Sequence, residues 1–358
     1  MTHAVSIALL IVMLIGHFST PAIADDEKSG LDDATQTALE TAIRESMKLV
    51  DAKAATVAVS RNGKLLFSAG FGFQDQSRQT PVTSSALFRI ASVSKPITAA
   101  AIKSAIRQQK LTLKTKAFEF LEMSKTHGEP ADTRLNDITI EHLLNHKGGW
   151  DRGVGFDPMF QGVRILQTLN PRKTPTPSDV VAYMWQQPLQ FQPGSKSVYS
   201  NFGYCVLGRV LEKAYDKPYF ECVQELVFKP HAIKEVALGT SDSQNRPASE
   251  VEYPVEDRRF LLDVMDAHGG LVASAPAVCR FLDQFWISGE PRKPGQNYSY
   301  TFYGSLPGTT AMARQRSDGF NIAVLLNNRR DAKFYDDLDV LKKTVDSVFD
   351  KLKPTESE

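Results

Sequence analysis

The spacing of hydrophobic and polar positions changes several times along the chain, and each change predicts an element. Residues 31–49 carry apolar side chains at helical spacing among Ala, Glu and Lys, which predicts an amphipathic helix. Residues 55–60 and 64–69 have the composition of two short strands around Arg61-Asn62-Gly63. An Asn-Gly pair between such strands predicts a hairpin. The chain therefore begins with a helix and a pair of antiparallel strands.

A long helical block follows. Apolar residues recur at helical spacing from residue 97 to residue 106, so we expect a helix that reaches about Gln109. Pro96 is tolerated only in the first turn of a helix, which places the helix start near Ser92. Residues 111–234 are mostly helical by pattern, and they include a short capped helix at 138–144, a loop at 170–177 and an apolar helix at 201–214.

Strand patterns return near the end of the chain. Residues 309–316 and 321–327 flank the turn Ser317-Asp318-Gly319, and residues 337–352 form a closing helix by their spacing. This order predicts an α+β fold, in which an antiparallel sheet is flanked by helices and carries an inserted all-helical domain. We expect residues 25–95 and 250–358 to form the sheet domain and residues 96–249 to form the helical domain.

The first residues have the pattern of an export signal. Residues 4–15 are an apolar run of about twelve residues, which is too short to span a bilayer comfortably. Small residues precede Asp25 at the positions that signal peptidases require, so residues 1–24 are predicted to be a signal peptide. The protein would then be periplasmic or extracellular without a stable membrane anchor. No Lys or Arg precedes the run, which keeps an uncleaved anchor as the alternative.

The net charge and the number of cysteines limit which partners and which disulfide bonds we expect. The formal net charge is +1, which gives no electrostatic reason to expect nucleic acid as a partner. The three cysteines, Cys205, Cys222 and Cys279, are an odd number, so at least one thiol stays unpaired within the chain. Cys205 lies in an apolar helical stretch and is expected to be a buried structural thiol.

The first candidate for chemistry is Ser92-Val93-Ser94-Lys95. A serine hydroxyl needs a base within hydrogen-bond reach, and residues three apart share one face of a helix. A position at the helix start also offers free N–H groups and a dipole that favour negative charge. The pattern alone is weak, because a chain of this length contains about one such match by chance.

The second candidate is Tyr199-Ser200-Asn201. A tyrosine beside a lysine ammonium can have a lowered pKa and can pass protons, while the Asn201 amide can bind a peptide-like group. The alternative is a loop with a helix-capping serine or asparagine.

These two segments, in this order, resemble the serine β-lactamase-related hydrolases, which include class C β-lactamases, D-Ala-D-Ala carboxypeptidases and related esterases and D-peptidases. The resemblance covers roughly residues 31–349. Further segments that resemble the family are 138–146, the turn Lys147-Gly148-Gly149, and the stretches 269–274 and 304–309.

The resemblance implies a role for each matching residue. Ser92 would be the acylated nucleophile, and Lys95 would take its proton. Tyr199 would protonate the leaving group and help to activate the deacylating water, and Asn201 would bind a substrate amide. The backbone N–H groups of Ser92 and Ser305 would form the oxyanion hole. The substrate would be a small-molecule or peptide acyl compound, such as an ester, an amide or a peptidoglycan-derived D-peptide, and no metal or organic cofactor is implied.

A third segment, residues 302–304, departs from the family pattern, and we call it the third motif. Where the family has Lys-Thr-Gly or His-x-Gly, this chain has Phe302-Tyr303-Gly304. Gly304 still permits close approach of the strand to a substrate, and we place Tyr303, Gly304 and Ser305 in the substrate site. Phe302 supplies no cation, which predicts poor turnover of carboxylate-bearing substrates. The alternative function is a penicillin- or peptidoglycan-binding protein with little turnover.

Two other pairs of residues were candidates for function. His142 and His146 lie four apart, a spacing that can hold a metal on one helix face, but no third ligand is evident. We therefore expect no metal site, and a metal hydrolase is a minor alternative. Asp151-Arg152 has either a role in the pocket or a surface ion pair, and the surface ion pair is the favoured interpretation.

Overall fold

The fold combines antiparallel sheets with many helices. The computed structural model describes residues 23–24, 30–169, 175–254, 260–293 and 295–352. The strands within these ranges are β1 (Ile23–Ala24), β2 (Ala54–Arg61), β3 (Lys64–Gly72), β4 (Phe88–Arg89), β5 (Val236–Leu238), β6 (Leu271–Ala273), β7 (Tyr300–Leu306), β8 (Thr309–Gln315) and β9 (Phe320–Leu326). The α-helices are α1 (Asp33–Val50), α2 (Ser94–Arg107), α3 (Ala117–Phe120), α4 (Met123–His127), α5 (Ile140–Leu144), α6 (Gly162–Leu169), α7 (Pro177–Trp185), α8 (Asn201–Tyr215), α9 (Tyr219–Val223), α10 (Asp266–Gly269), α11 (Ala275–Gln284) and α12 (Phe334–Phe349).

The larger sheet has the strand order β1-β3-β2-β9-β8-β7, and every neighbouring pair is antiparallel. The two faces of β2 enter different hydrophobic clusters, because successive side chains of a strand point to opposite sides. Ala55, Val57 and Val59 belong to the cluster that α1 and α12 complete, whereas Ala54 and Ala58 belong to the cluster that contains α11. Burial of both faces explains why apolar residues do not simply alternate with polar ones along the strand.

A small sheet with the order β4-β6-β5 lies next to the start of α2. Just after β4, the backbone N–H of Ile90 donates to the carbonyl of Leu271 on β6 at 3.1 Å. The 3₁₀ turn Ala91–Val93 follows immediately and leads into α2. This pairing fixes the segment that contains Ser92 against the sheet.

The helical region packs around α2 and α8, and its centre includes a buried ion pair. Arg209 of α8 and Asp266 of α10 hydrogen bond to each other, and both side chains are less than a tenth exposed. Pairing offsets the cost of burying each charge. The pair therefore joins α8 to the helix that precedes β6.

Most elements predicted from the sequence are confirmed. Both predicted hairpins are present, as β2–β3 and β8–β9. The helix predicted from Ser92 begins instead as the 3₁₀ turn and becomes α-helical at Ser94, with Pro96 in its first turn as expected. The predicted loop at 170–177 lies partly outside the described residues, and Pro177 already begins α7.

Several sequence predictions remain predictions. The predicted signal peptide falls outside the described residues, except that Ile23 and Ala24 form β1, which pairs with β3. The division into a sheet domain and a helical domain is likewise untested. Among the helices described, none is both long enough and apolar enough to cross a membrane. Cys205, Cys222 and Cys279 are all buried free thiols, which agrees with the prediction for Cys205.

Candidate active site

The turn before α2 presents Ser92 to a cleft. Ala91 has a φ of 46°, which lies in the left-handed region that a residue with a Cβ enters only at a cost. The N–H of Val93 donates to the carbonyl of Ile90 at 3.0 Å and closes this tight turn. The turn puts Ser92 in the wall of the cleft, while Ser94 and Lys95 are turned into the protein.

Lys95 lies directly behind Ser92 and has two firm partners. Its Nζ donates at 2.7 Å to Oδ1 of Asn201 and at 2.7 Å to the backbone carbonyl of His268. Its Nζ is 3.2 Å from Oγ of Ser92. The one-turn proximity predicted from the spacing is therefore present in the structure.

Burial favours the neutral form of Lys95. The side chain is 1% exposed, and this desolvation lowers its pKa well below the ordinary lysine value. The carboxylate of Asp157 opposes the shift, and the guanidinium of Arg152 adds to it. A neutral amine has two N–H groups and one lone pair. Because Asn201 and His268 take both N–H groups, the lone pair is left for the hydroxyl of Ser92.

Tyr199 contacts Ser92 from the other side. Its hydroxyl donates to Oγ of Ser92 at 2.8 Å, and its ring packs on that of His146 with centroids 4.7 Å apart. The expectation of a lowered tyrosine pKa is wrong: burial raises the pKa of Tyr199 to about 12. The reason is that desolvation of the Tyr199 phenol outweighs its hydrogen bond with Ser92 and the nearby charge of Arg152, both of which act to lower the pKa. Tyr199 is therefore a protonated donor.

Ser200 orients this segment. Its side chain caps α8 by accepting from the N–H of Gly203 at 3.1 Å, and its own N–H donates to Nδ1 of His146 at 3.2 Å. The helix-capping interpretation of Ser200 is therefore confirmed, and the cap places Tyr199 and Asn201 on the same cleft. The chemical roles of Tyr199 and Asn201 stay predictions.

Asp157 is a site residue that the sequence analysis missed. One of its oxygens accepts from Nδ2 of Asn201 at 2.7 Å, and the other accepts from the N–H of Met159 at 3.2 Å. A carboxylate only accepts, so this contact forces Oδ1 of Asn201 toward Lys95. Asp157 follows a loop with no motif, and only the folded chain brings it to Asn201.

Arg152 corrects a second expectation. Asp151 does take part in an ion pair at the surface, but its partner is Lys196 at 3.6 Å rather than Arg152. The guanidinium of Arg152 lies 5.3 Å from the centroid of the Tyr199 ring and 3.8 Å from Asp157, and it lines the cleft. The role in the pocket, which was the less favoured interpretation, is the one that the geometry supports.

Strand β7 forms the opposite side of the cleft. A Cβ at Gly304 would lie 2.0 Å from the carbonyl of Ile90 and 3.2 Å from the backbone nitrogen of Ser92. Only glycine permits this approach, and it brings Ser305 beside the Ser92 turn. Tyr303 and Ser305, which were placed in the substrate site from the sequence, line the cleft, and so does Phe302. The cleft holds about 680 Å³.

Arg329 is a further residue of this side that the sequence analysis missed. It follows β9, and its Nη1 donates to Oγ of Ser305 at 2.7 Å. We call the side of the cleft formed by Ser92, Lys95, Tyr199 and Asn201 the nucleophile wall. We call the side formed by Phe302, Ser305 and Arg329 the third-strand wall, because β7 carries the third motif. Nothing in the sequence distinguishes Arg329 from its neighbour Arg330. In the structure, Arg330 pairs with Asp337 outside the cleft.

The two histidines do not share a helix face. Helix α5 ends at Leu144, and His146 lies beyond it with a φ of 56°. His142 completes the capping box of α5 with Thr139, whereas His146 accepts from Ser200. Burial lowers the pKa of His146 to about 4, so its ring is neutral beside Tyr199.

Comparison with known proteins identifies the family. The model of the Beta-lactamase family matches residues 39–336. The chain therefore belongs to this family of serine hydrolases, and its sheet with flanking helices is the β-lactamase/transpeptidase fold, which confirms the resemblance and the fold class expected from the sequence.

Particular relatives differ in their described roles. The chain is 32% identical over 237 residues to the putative fimbrial assembly protein FimD, serogroup D, of Dichelobacter nodosus, which covers 63% of this chain and 55% of that protein. It is 25% identical over 265 residues to esterase EstB of Burkholderia gladioli, covering 72% and 67%. The structure of D-amino acid amidase from Ochrobactrum anthropi complexed with D-phenylalanine has a similar fold, with a TM-score of 0.69, 17% identity and coverage of 89% and 99%. The chain spans about half the length of the first curated relatives that it matches.

Proposed function

We propose that this protein is a serine hydrolase that acts on an ester, amide or D-peptide through an acyl-enzyme on Ser92. One observation carries the proposal. Oγ of Ser92 lies 3.2 Å from Nζ of Lys95 and 2.8 Å from the hydroxyl of Tyr199, at the wall of an open cleft. A nucleophile between a neutral base and a protonated acid has the groups that acyl transfer requires.

Acylation begins when Oγ of Ser92 attacks the substrate carbonyl carbon. The hydroxyl proton moves to Nζ of Lys95, and the developing oxyanion takes hydrogen bonds from the backbone N–H groups of Ser92 and Ser305. Tyr199 protonates the departing oxygen or nitrogen, and the proton held by Lys95 restores the phenol. Ser92 then carries the acyl group as an ester.

Deacylation reverses these proton movements. A water attacks the acyl ester, its proton is taken up by the Tyr199 and Lys95 pair, and Oγ of Ser92 leaves with a proton. Asn201 retains one amide N–H beyond its bonds to Lys95 and Asp157, and this N–H is directed to a substrate carbonyl in our proposal.

Labelling of the mature protein tests the nucleophile. The protein is incubated separately with a fluorophosphonate and with a fluorescent penicillin, and its intact mass is measured, beside Ser92→Ala and the exposed control Ser85→Ala. We expect one phosphonate adduct in the wild type and in Ser85→Ala and none in Ser92→Ala. Equal labelling of Ser92→Ala contradicts the assignment. A phosphonate adduct without a penicillin adduct favours an esterase.

One observation favours a second function. Phe302 stands where the family has a cationic residue or histidine, which suits a penicillin- or peptidoglycan-binding protein with little turnover. Slow release distinguishes this function: the acyl adduct would form at Ser92 and persist for hours, whereas a hydrolase discharges it.

A chelator leaves activity unchanged under either proposal, and loss of activity with EDTA favours the metal hydrolase.

We also propose that residues 1–24 direct export and are removed. The short apolar run and the small residues before Asp25 support this. The N-terminal sequence of the protein purified from a cell envelope or medium fraction tests it. A mature chain that begins at Asp25 is the expected result, and a chain that retains residues 1–24 overturns cleavage.

A further inference from the structure

A second groove lies at the end of α2 that is far from Ser92. It holds about 600 Å³ and is bordered by the second half of α2, by residues between Trp286 and Tyr298, and by Tyr300 at the start of β7. Tyr300 and Ser305 are five positions apart on β7, which corresponds to about 17 Å of extended strand. We call this second site the distal groove, and it is separate from the cleft that contains Ser92.

Three aromatic rings form one side of the distal groove. The ring centroids of Trp286 and Tyr298 lie 5.1 Å apart, those of Trp286 and Tyr300 lie 6.0 Å apart, and those of the two tyrosines lie 6.1 Å apart. Trp286 is buried, whereas Tyr298 and Tyr300 are 49% and 46% exposed. The tryptophan therefore supports two tyrosine rings that meet solvent in a concave site, where a ligand can cover them.

The floor under these rings is fixed by contacts within the protein. The guanidinium carbon of Arg292 lies 4.4 Å from the centroid of the Trp286 ring, and its Nη1 donates to Oδ1 of Asn321 on β9 at 3.0 Å. The same loop packs directly on α2, because a Cβ at Gly289 would lie 2.5 Å from the backbone nitrogen of Ala100. A site that is already ordered loses little conformational entropy when it binds a ligand.

The charges of the distal groove favour an anionic ligand. The charged side chains among its described lining residues are Lys103, Arg107, Glu290 and Lys293. Nζ of Lys103 lies 2.8 Å from Oε1 of Glu290, so these two charges compensate each other. Arg107 and Lys293 are exposed, and neither forms an ion pair with a carboxylate in the described part of the chain. The positive charge that remains beside the tyrosines attracts a negatively charged ligand.

We propose that the distal groove binds a glycan chain whose sugars carry carboxylates. The apolar face of a sugar ring packs against the exposed ring of Tyr298 or Tyr300, and its hydroxyl groups meet polar side chains such as Gln296. Its carboxylates meet Arg107 and Lys293 in charge-assisted hydrogen bonds. The groove holds the polymer near the cleft without taking part in the reaction, so the proposal does not depend on the chemistry of Ser92.

Two other kinds of polymer fit the distal groove less well. An extended peptide pairs with a free strand edge, but the groove is bordered by a helix, a loop and only the first residue of β7. A single-stranded nucleic acid is held by a positive groove that follows its phosphates, whereas here the carboxylate of Glu290 lies among the cations. An acidic glycan needs only a few cations beside the aromatic rings, and that is what the groove provides.

Oligosaccharides of galacturonic acid test the proposal, because their methyl esters have the same rings without the charge. Binding of the hexasaccharide and of its methyl ester to the full-length protein is measured by isothermal titration calorimetry at two salt concentrations. We expect the acid to bind about 3- to 10-fold more tightly than the ester at low salt. The difference is expected to shrink as the salt concentration rises, because salt screens exposed charges.

Variants of the groove locate the binding site. Tyr298→Ala and Tyr300→Ala each remove a ring and are expected to weaken binding of both forms about 3- to 10-fold, whereas Tyr298→Phe keeps the ring and most of the affinity. Arg107→Gln is expected to weaken only the acidic form, about 2- to 5-fold. Because Arg107 is exposed, this variant tests the site even if a tyrosine variant folds poorly. Arg329→Gln changes a cation of the cleft instead, and it is the control that leaves binding unchanged.

Every outcome of the titrations supports or overturns the proposal. Equal binding of acid and ester, no binding of either, or tyrosine variants that bind as the wild type does overturns it. Tighter binding of hexaglutamate or of an oligothymidylate than of the acidic hexasaccharide also overturns it and assigns the groove to a peptide or to a nucleic acid. Tyr298→Ala is expected to hydrolyse a p-nitrophenyl ester at the wild-type rate, so failure of this proposal is distinguishable from failure of the nucleophile assignment.

Discussion

The two walls of the cleft are built differently. In the nucleophile wall, Lys95 and Asn201 are buried and their polar atoms are joined by short hydrogen bonds. In the third-strand wall, Phe302 and Ser305 are half-buried, and Arg329 keeps a solvent-facing surface. Burial fixes protonation states, which proton transfer needs, whereas partial exposure lets a charge meet an incoming ligand. Under the proposed function, the nucleophile wall would supply the chemistry and the third-strand wall would contact the substrate.

Replacement of Lys95 by alanine is expected to have the largest effect. Loss of the neutral amine removes the base for Ser92, and a general base contributes about 10²- to 10⁴-fold to such reactions. The rate of phosphonylation of Ser92 measures the loss directly. Lys103 lies on the same helix, so Lys103→Arg is the matched control and keeps the wild-type rate. A Lys95→Ala protein that reacts at the control rate contradicts the role of Lys95.

Tyr199→Phe is expected to have the next largest effect. It removes the hydroxyl that donates to Ser92 at 2.8 Å and keeps the ring against His146. We expect hydrolysis of an unactivated ester to fall about 100-fold, with a smaller fall for a p-nitrophenyl ester whose leaving group needs no proton.

The neighbouring Tyr204→Phe is the control for this prediction. Its hydroxyl donates to the carbonyl of Leu144 at 3.3 Å rather than to Ser92. If Tyr199→Phe slows both ester types equally, or if Tyr204→Phe has the same effect, Tyr199 is not the acid of the leaving group.

A smaller effect is expected from Asp157→Asn, and it appears in the pH profile. The Asp157 carboxylate raises the pKa of Lys95, so removal of its charge lowers that pKa further. Acylation needs neutral Lys95 and is lost as pH falls through the pKa of Lys95. The acid limb of kcat/KM is therefore expected to move to lower pH, with less than about a tenfold change in the plateau. A limb that moves to higher pH contradicts this coupling.

Phe302→His is expected to have the smallest effect. A histidine at this position restores the side chain that relatives carry, and we expect turnover of a carboxylate-bearing ester to rise about 2- to 5-fold. The gain is small because Arg329 already places a cation in the third-strand wall. Phe302→Leu is the apolar control and is expected to show no gain. Unchanged or lower turnover in Phe302→His contradicts the assignment of this position.

Local patterns predicted the nucleophile wall well because its contacts arise within short segments. Ser92 and Lys95 are one turn apart, and a single cap at Ser200 places both Tyr199 and Asn201. The hairpins followed from turn chemistry and apolar runs. The start of α2 differed from the prediction only in its first turn. That turn is a 3₁₀ turn with Ala91 in the left-handed conformation, which helical spacing does not reveal.

The rest of the site depends on contacts between distant segments. Asp157 meets Asn201 across 44 positions, and Arg329 meets Ser305 across 24 positions. Neither contact leaves a local pattern in the sequence. The pKa of Tyr199 was predicted in the wrong direction for the same reason, since its direction depends on how completely the fold buries Tyr199.

The most direct test of the account is the pH dependence of Ser92 phosphonylation by a neutral fluorophosphonate. A neutral Lys95 predicts full reactivity at neutral pH, with an acid limb well below the ordinary lysine pKa of about 10.4. The limb should be missing in Lys95→Ala, which reacts slowly at every pH. A wild-type rate that rises only as pH approaches 10 would show a charged Lys95 and would contradict the central claim.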